Sequence, residues 1–454
     1  MKKYFKQLAL FILHFLFFTI ATAQTFPDVQ QFQLANKLKV YVIPYGDISA
    51  TEVTLFVNCG QKNEIPGQQS YSEIVANCLA LGSEKYDRTQ LQDELFKLGT
   101  GISATANENY TTVSARFLNE NLDKGLDIFS SVIMKPLFPD EELKQYISRT
   151  VDFNNLNKMD IGALASVFSN LSVYGINNPL GRYFYKDQLI KITPAILKDF
   201  YSFNYTPGNS RLVICGKTDL ASAKLLAEKY FGSWTAPYGE VNGVSYSVDP
   251  IKKIEIGFIN RSGATQASLQ WNKIGPQPLT KDADIFRIAN YVFNQVLFKE
   301  IREKGGKTYG IRSSYDPGSS SSIFSITTQV RSVEVENTMV LFDQVLKNFY
   351  DIGINQLQLK KAKQSMEKSV TGIDNPTSWI QFFNPVVYSN PDSRKNLVRM
   401  INLISLDEVN KIIKKYYTPD SYKLIIAGQE EVISPLIPQW NTIKKYTVAD
   451  ISTM

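Results

Sequence analysis

Two parts of this chain repeat one another at an offset of about 212 residues, and that duplication limits the architectures open to it. Ile192-Thr193 begins a helical stretch that leads to Tyr205-Thr206-Pro207 and then to an apolar strand, Arg211-Leu212-Val213-Ile214-Cys215-Gly216. In the second half, Ile404-Ser405 begins a similar helix, followed by Tyr417-Thr418-Pro419 and the strand Lys423-Leu424-Ile425-Ile426-Ala427-Gly428. A second anchor pairs Ala50-Thr51-Glu52-Val53-Thr54-Leu55 with Ala264-Thr265-Gln266-Ala267-Ser268-Leu269 at nearly the same offset. Solenoid repeats have periods of about 20–50 residues. A far longer one implies two homologous domains.

Each half mixes short β-branched and aromatic runs with segments of helical spacing. Lys39–Pro44, Glu52–Asn58 and Tyr110–Phe117 read as strands. Ser70–Leu81, Thr89–Leu98, Asn121–Met134 and Asp140–Ala165 read as helices, with Thr89 and Gln92 spaced as a capping box. Strands clustered with helices, without strict βαβ alternation, predict an α+β fold: two α/β sandwich domains, each a mixed or antiparallel sheet covered by helices. The predicted boundaries are a signal peptide at 1–23, an N-terminal domain at 24–233, a linker at 234–249 rich in Gly, Ser, Tyr and Pro, and a C-terminal domain at 250–454.

The first 23 residues have a basic start (Lys2, Lys3, Lys6), an apolar core from Leu8 to Ile20 and a small-x-small site at Ala21-Thr22-Ala23. This pattern predicts export and cleavage before Gln24, hence a periplasmic or other extracytoplasmic protein. Membrane association after cleavage is not indicated, because no later stretch is long and apolar enough to span a bilayer. The segment carries three lysines and no acid, so cleavage lowers the formal charge from +6 to about +3. No basic stripe marks a nucleic-acid interface, and Lys411, Lys414 and Lys415 read as the solvated face of a helix. Cys59, Cys78 and Cys215 are odd in number and cannot all pair within the chain. Buried free thiols are the expected state, with Cys59–Cys78 the pairing an oxidising compartment would allow. The one histidine, His14, lies in the leader, so the mature chain can offer neither a histidine-held metal nor a histidine base. Gly318–Ser322 reads as a plain small-residue hairpin loop, and Gly305-Gly306 lacks the lysine and hydroxyl of a phosphate loop.

The order of elements resembles the insulinase/pitrilysin family of zinc metallopeptidases, the inverted zincins, over nearly all of the mature chain. Gly60, Glu64 and Gly67 match the approach to the family's His-x-x-Glu-His helix, and Gly82-Ser83 match its exit. Leu98-Gly99, Lys135-Pro136-Leu137-Phe138 and Asn178-Pro179-Leu180-Gly181 match later landmarks. With these flanks aligned, the motif positions fall on Glu73, Ala76 and Asn77, and the distant third ligand falls near Asp152-Phe153. A catalytic zinc needs about three protein ligands and an open position for water, and a carboxylate to take that water's proton. Here two ligand histidines are replaced by Glu73 and Asn77, the general base by Ala76, and the third ligand by Phe153. The resemblance therefore implies a degenerate zinc motif and no metal in this chain.

In the second half, Leu297–Tyr309 resembles the family's R-E-K-x-G-x-x-Y segment, with Arg302 and Tyr309 at the positions of an arginine–tyrosine pair. In relatives that pair contacts the substrate backbone and stabilises the transition state opposite the zinc. An arginine offers a fixed fork of donors, and a tyrosine hydroxyl can donate to a developing oxyanion. The bland reading makes Arg302 an ordinary helix-end residue and Tyr309 a packed strand start. The resemblance implies a non-zinc subunit of a heterodimeric peptidase. Its partner would be a paralogue bearing the zinc motif, its substrate a peptide or unfolded protein, and Arg302 and Tyr309 would act in trans on the partner's site. The alternative is a non-catalytic scaffold or peptide-binding subunit of a larger complex.

Overall fold

In a computed structural model, the described residues are 27–447 except 184–185, 236–247, 278–279, 307, 317–322, 373–374, 385–392 and 439. The expected leader, most of the expected linker and the Gly318–Ser322 loop lie outside them. Twelve strands form two six-stranded mixed sheets, one in each half of the chain. In the first half they are β1 (Gln30–Gln33), β2 (Lys39–Pro44), β3 (Ala50–Val57), β4 (Ser103–Ala106), β5 (Thr111–Leu118) and β6 (Ser210–Gly216). In the second half they are β7 (Glu255–Asn260), β8 (Gln266–Ile274), β9 (Thr308–Asp316), β10 (Ile323–Arg331), β11 (Lys423–Gly428) and β12 (Lys444–Tyr446).

The spatial orders are β1-β2-β6-β3-β5-β4 and β12-β7-β11-β8-β10-β9. Five of the six places correspond, including the paired anchors β3/β8 and β6/β11. β2 runs parallel to β6 and β7 parallel to β11, while β3 and β8 are antiparallel to their neighbours. The sixth strand has a different origin in each sheet. β1 precedes its sheet and is antiparallel to β2, whereas β12 follows its sheet and is parallel to β7.

The longer described helices are α1 (Tyr71–Cys78), α2 (Arg88–Lys97), α3 (Leu122–Met134), α4 (Asp140–Phe153), α5 (Ile161–Tyr174), α6 (Pro194–Asn204), α7 (Leu220–Phe231), α8 (Lys281–Leu297), α9 (Val335–Ile352), α10 (Gln356–Thr371), α11 (Pro376–Ile380), α12 (Ser393–Leu403) and α13 (Leu406–Tyr416). None is long and apolar enough to cross a membrane. Two boundary differences from the sequence reading have clear physical causes. Helix α2 starts one residue earlier, because Asp87 and not Thr89 is its N-cap: Asp87 Oδ1 accepts from Gln90 N at 2.8 Å, and Gln90 returns the bond. The span Asp140–Ala165 is two helices. Asn154 leaves helical geometry, and Asp160 caps a new start by accepting from Ala163 N.

That break lets α5 leave its own half. Leu164, Ala165 and Phe168 pack on Ile259, Ile425, Ala427 and Tyr446 of the second sheet. Helix α11 makes the reciprocal move, setting Trp379 and Ile380 on Tyr41, Ile43, Phe56, Val213 and Cys215 of the first. Equivalent cations of the repeat fasten both exchanges. Arg211 Nη1 donates to Phe383 O at 3.2 Å, and Lys423 Nζ donates to Ser172 O. Central strands β2 and β3 are consequently buried on both faces, whereas β5, nearer the edge, alternates. A fully buried Val, Leu, Ile or Phe side chain contributes roughly 1.5–3 kcal/mol, so the two exchanged patches tie the halves together strongly.

The repeated Tyr-Thr-Pro turns plug the same place in each core. Tyr205 and Tyr417 are fully buried. Tyr205 donates to Thr111 Oγ1 at 3.2 Å, while Tyr417 sits among Phe286, Phe293, Phe324 and Phe349 with centroids 4.8–5.3 Å away. All three cysteines are buried free thiols.

Candidate functional site

The landmarks that flank the expected motif helix meet in space. Glu64 is buried beneath the start of α1. Its Oε2 accepts from Ser70 N at 2.9 Å, and its Oε1 accepts from Ser72 N at 2.9 Å and Ser72 Oγ at 2.6 Å. Ser70 holds a left-handed conformation (φ 73°) that non-glycine residues rarely adopt; the Glu64 carboxylate secures it and serves as the helix cap that Ser70's own side chain does not provide. The Glu64 carbonyl accepts from Arg182 Nη1 at 3.2 Å, and the same guanidinium holds Ile176 O and Asn177 O. Gln61 Nε2 reaches Pro179 O at 2.8 Å. Only glycine fits at two contacts here: a Cβ on Gly60 would lie 2.4 Å from Asn107 O, and one on Gly181 would lie 2.0 Å from Gly175 O. The Gly60–Gly67 approach and the Asn178–Arg182 segment thus form one support for α1. Burial pushes the Glu64 carboxyl up to about 7, against the opposing pull of its three donors.

On α1 the motif positions diverge. The Tyr146 hydroxyl on α4 lies near the Glu73 carboxylate and favours its charged form. Burial raises the Glu73 carboxyl above the usual carboxylate range, and burial followed by the Glu73 charge pushes the Tyr146 phenol up to about 12. Ala76 is fully buried in the core. Asn77 is exposed and its Nδ2 donates to Glu73 O at 2.9 Å. Phe153, two turns beyond Tyr146 at the end of α4, is 83% exposed. One carboxylate already engaged by a phenol, a methyl group, an amide turned back on its helix and an exposed phenyl ring do not make a zinc ligand set. Among the described residues no group of three or more His, Cys, Asp or Glu is placed to hold a metal.

The second candidate region follows α8. Phe298–Lys304 is a π-helical turn, a form that recurs at functional sites. It buries Ile301 in the second core and leaves Arg302 exposed, with the guanidinium 4.5 Å above the Phe298 ring. Arg302 makes no ion pair with a described carboxylate, whereas Lys304 beside it is held at 2.8 Å by both oxygens of Glu300. Gly306 (φ 62°) turns the chain into β9, the edge strand of the second sheet. Tyr309 is the second residue of β9; its side chain lies outside the described residues. Arg302 and Tyr309 are therefore set on consecutive elements, on the other half of the molecule from α1.

Two partners escaped the sequence reading. Phe298 lies four residues before Arg302, so helical spacing could have revealed it. Tyr146 carries no local signal; only the packing of α4 beside α1 brings it to Glu73.

The profile described as insulinase (peptidase family M16) matches residues 44–186, and that described as the peptidase M16 inactive domain matches residues 191–366. The chain belongs to the insulinase (M16) family. An uncharacterised zinc protease of Rickettsia bellii is 24% identical over 409 residues, covering 86% of this chain and 92% of that protein. Among solved structures, a peptidase M16 inactive domain from Pseudomonas fluorescens superposes with a TM-score of 0.81 at 21% identity, covering 88% of this chain and 98% of that one. The periplasmic protease PqqL from Escherichia coli gives 0.74 at 14% identity, covering 94% of this chain and 50% of that one. These superpositions establish the two-domain insulinase fold. The second profile spans the segment that carries Arg302 and Tyr309.

Proposed function

We propose that this chain is the non-zinc subunit of a heterodimeric insulinase-family peptidase, acting outside the cytoplasm. Its partner is a paralogous subunit that carries zinc on an intact His-x-x-Glu-His helix, and its substrate is a peptide or unfolded protein. The observation that carries the reading is the contrast between the two candidate regions. At the motif helix, Ala76 is buried and Asn77 is tied to Glu73 O. At the π-helical turn, Arg302 stands exposed and without a described carboxylate partner, one short turn before the strand of Tyr309. Arg302 would bind the peptide backbone and Tyr309 would donate to the developing oxyanion at the partner's zinc. The leader-like first 23 residues and the periplasmic E. coli relative support an extracytoplasmic place.

Reconstitution tests this. The purified chain should carry no stoichiometric zinc and cleave no unfolded peptide alone. Adding the zinc-motif paralogue should restore cleavage. Arg302→Ala should then lower kcat by about 10²-fold or more, the size of loss seen when a transition-state donor is removed, and Tyr309→Phe should also lower it. Full cleavage with both variants would leave the chain a scaffold and refute the catalytic reading.

A further inference from the structure

Where β8 begins and β10 ends, a cleft of about 780 Å³ opens beside the Gly305-Gly306 turn. That is within the roughly 300–1,000 Å³ of clefts that hold small ligands. Three glutamines from separate strands or their ends line it: Gln266 opens β8, Gln329 lies near the end of β10, and Gln429 follows β11. None of their side-chain amides bonds to a described residue. Ser332 lines the same cleft and is 4% exposed, and its buried Oγ has no hydrogen-bond partner among the described residues. The one charged residue of the described lining, Arg331, is committed to Glu334 at 2.9 Å. Val330 and Val432 add apolar surface.

We propose that this cleft seats an uncharged polar stretch of the peptide, selecting glutamine, asparagine, serine or threonine side chains over charged ones. This rests on the peptide-binding reading above and names the substrate class for the same region. Gly306 and Thr308 border the cleft, so a peptide held there is adjacent to the Arg302–Tyr309 segment. Primary amides both donate and accept, and so match a peptide amide or hydroxyl in either orientation. A carboxylate or ammonium entering the cleft would lose hydration and find no unpaired opposite charge among the described residues.

The test uses the full chain and two short fluorescein-labelled peptides, one rich in glutamine and serine, the other with every glutamine replaced by glutamate. Fluorescence anisotropy should show tighter binding of the glutamine peptide. Gln266→Leu or Gln329→Leu should weaken it about three- to tenfold, as loss of one neutral hydrogen bond does, without changing the glutamate peptide. Gln329 is exposed, so Gln329→Lys guards against misfolding: it should reverse the preference toward the glutamate peptide. Equal binding of both peptides, or binding unchanged in all three variants, overturns the proposal. If Arg302→Ala abolishes reconstituted cleavage while cleft variants alter nothing, the cleft proposal fails and the subunit reading stands. If cleft variants shift binding but Arg302→Ala leaves cleavage intact, the cleft stands and the catalytic reading fails.

Discussion

Glu64 gives the structure's clearest quantitative consequence. Its carboxyl is buried under the α1 start, and burial lifts it from an ordinary 4.5 to about 7. Below pH 4.5 the group is protonated whether the chain is folded or not, and its contribution to stability is fully present. Between 4.5 and 7 the unfolded chain releases the proton and the folded chain keeps it, so stability falls as pH rises, by about 1.4 kcal/mol per pH unit. Above 7 both forms are ionised and the loss levels off near ~3 kcal/mol, an order-of-magnitude figure from the same linkage. Glu64→Gln removes the titration. It also turns one donor toward Ser70 N, adding a penalty that does not depend on pH. Urea unfolding of both proteins between pH 4.5 and 8 isolates the linkage, because other titrating groups cancel in the difference. The wild-type stability minus that of Glu64→Gln should drop by about 3 kcal/mol up to pH 7 and stay flat above it. A difference that is constant with pH, or that rises, would refute the reasoning.

Other outcomes follow from single contacts. Lys423→Met strips the donor from the Ser172 carbonyl under the exchanged helix α5; a lost charged hydrogen bond of about 1.5–3 kcal/mol should appear as a melting point lower by several degrees. Asn77→Ala removes only an exposed bond within its own helix. It should change stability by no more than about 0.5 kcal/mol and leave reconstituted cleavage intact; a large loss of cleavage would show that the motif helix still acts. Burial pushes the Cys78 thiol up to about 12 and raises Cys59 and Cys215 above their ordinary range. A thiol reagent at pH 8 should therefore find no reactive group in the folded chain and three after denaturation.

Much of the architecture was legible because duplication writes the same pattern twice. The Tyr205 and Tyr417 turns and the strands after them identify equivalent elements in the sequence, and the structure puts β6 and β11 at the same place in their sheets. The continuous helix expected over Asp140–Ala165 failed at Asn154, where the apolar pattern continues but its target changes: residues to Ile147 face the first core, whereas Leu164 and Phe168 face the second sheet. Hydrophobic spacing reports that a face is buried and says nothing about what buries it. The capping pair was misread for a related reason. Thr89/Gln92 and Asp87/Gln90 share the same spacing, and only the chain's exit from the preceding turn chooses between them.

At the candidate sites the division is chemical. Residue identity limits which atoms are available: alanine, asparagine and phenylalanine at the expected motif positions carry neither histidine nitrogens nor a carboxylate. Identity also placed Arg302 and Tyr309 close together in the chain. Tertiary structure decided what the remaining groups do. It engaged Glu73 with Tyr146, spent Asn77 on its own helix, exposed Phe153, and left Arg302 free of described carboxylates over Phe298. It also gathered Gln266, Gln329, Gln429 and Ser332 around one cleft, although at most 163 residues of chain separate them. Composition determines which donors and acceptors exist; burial and the meeting of distant segments determine which of them remain unpaired.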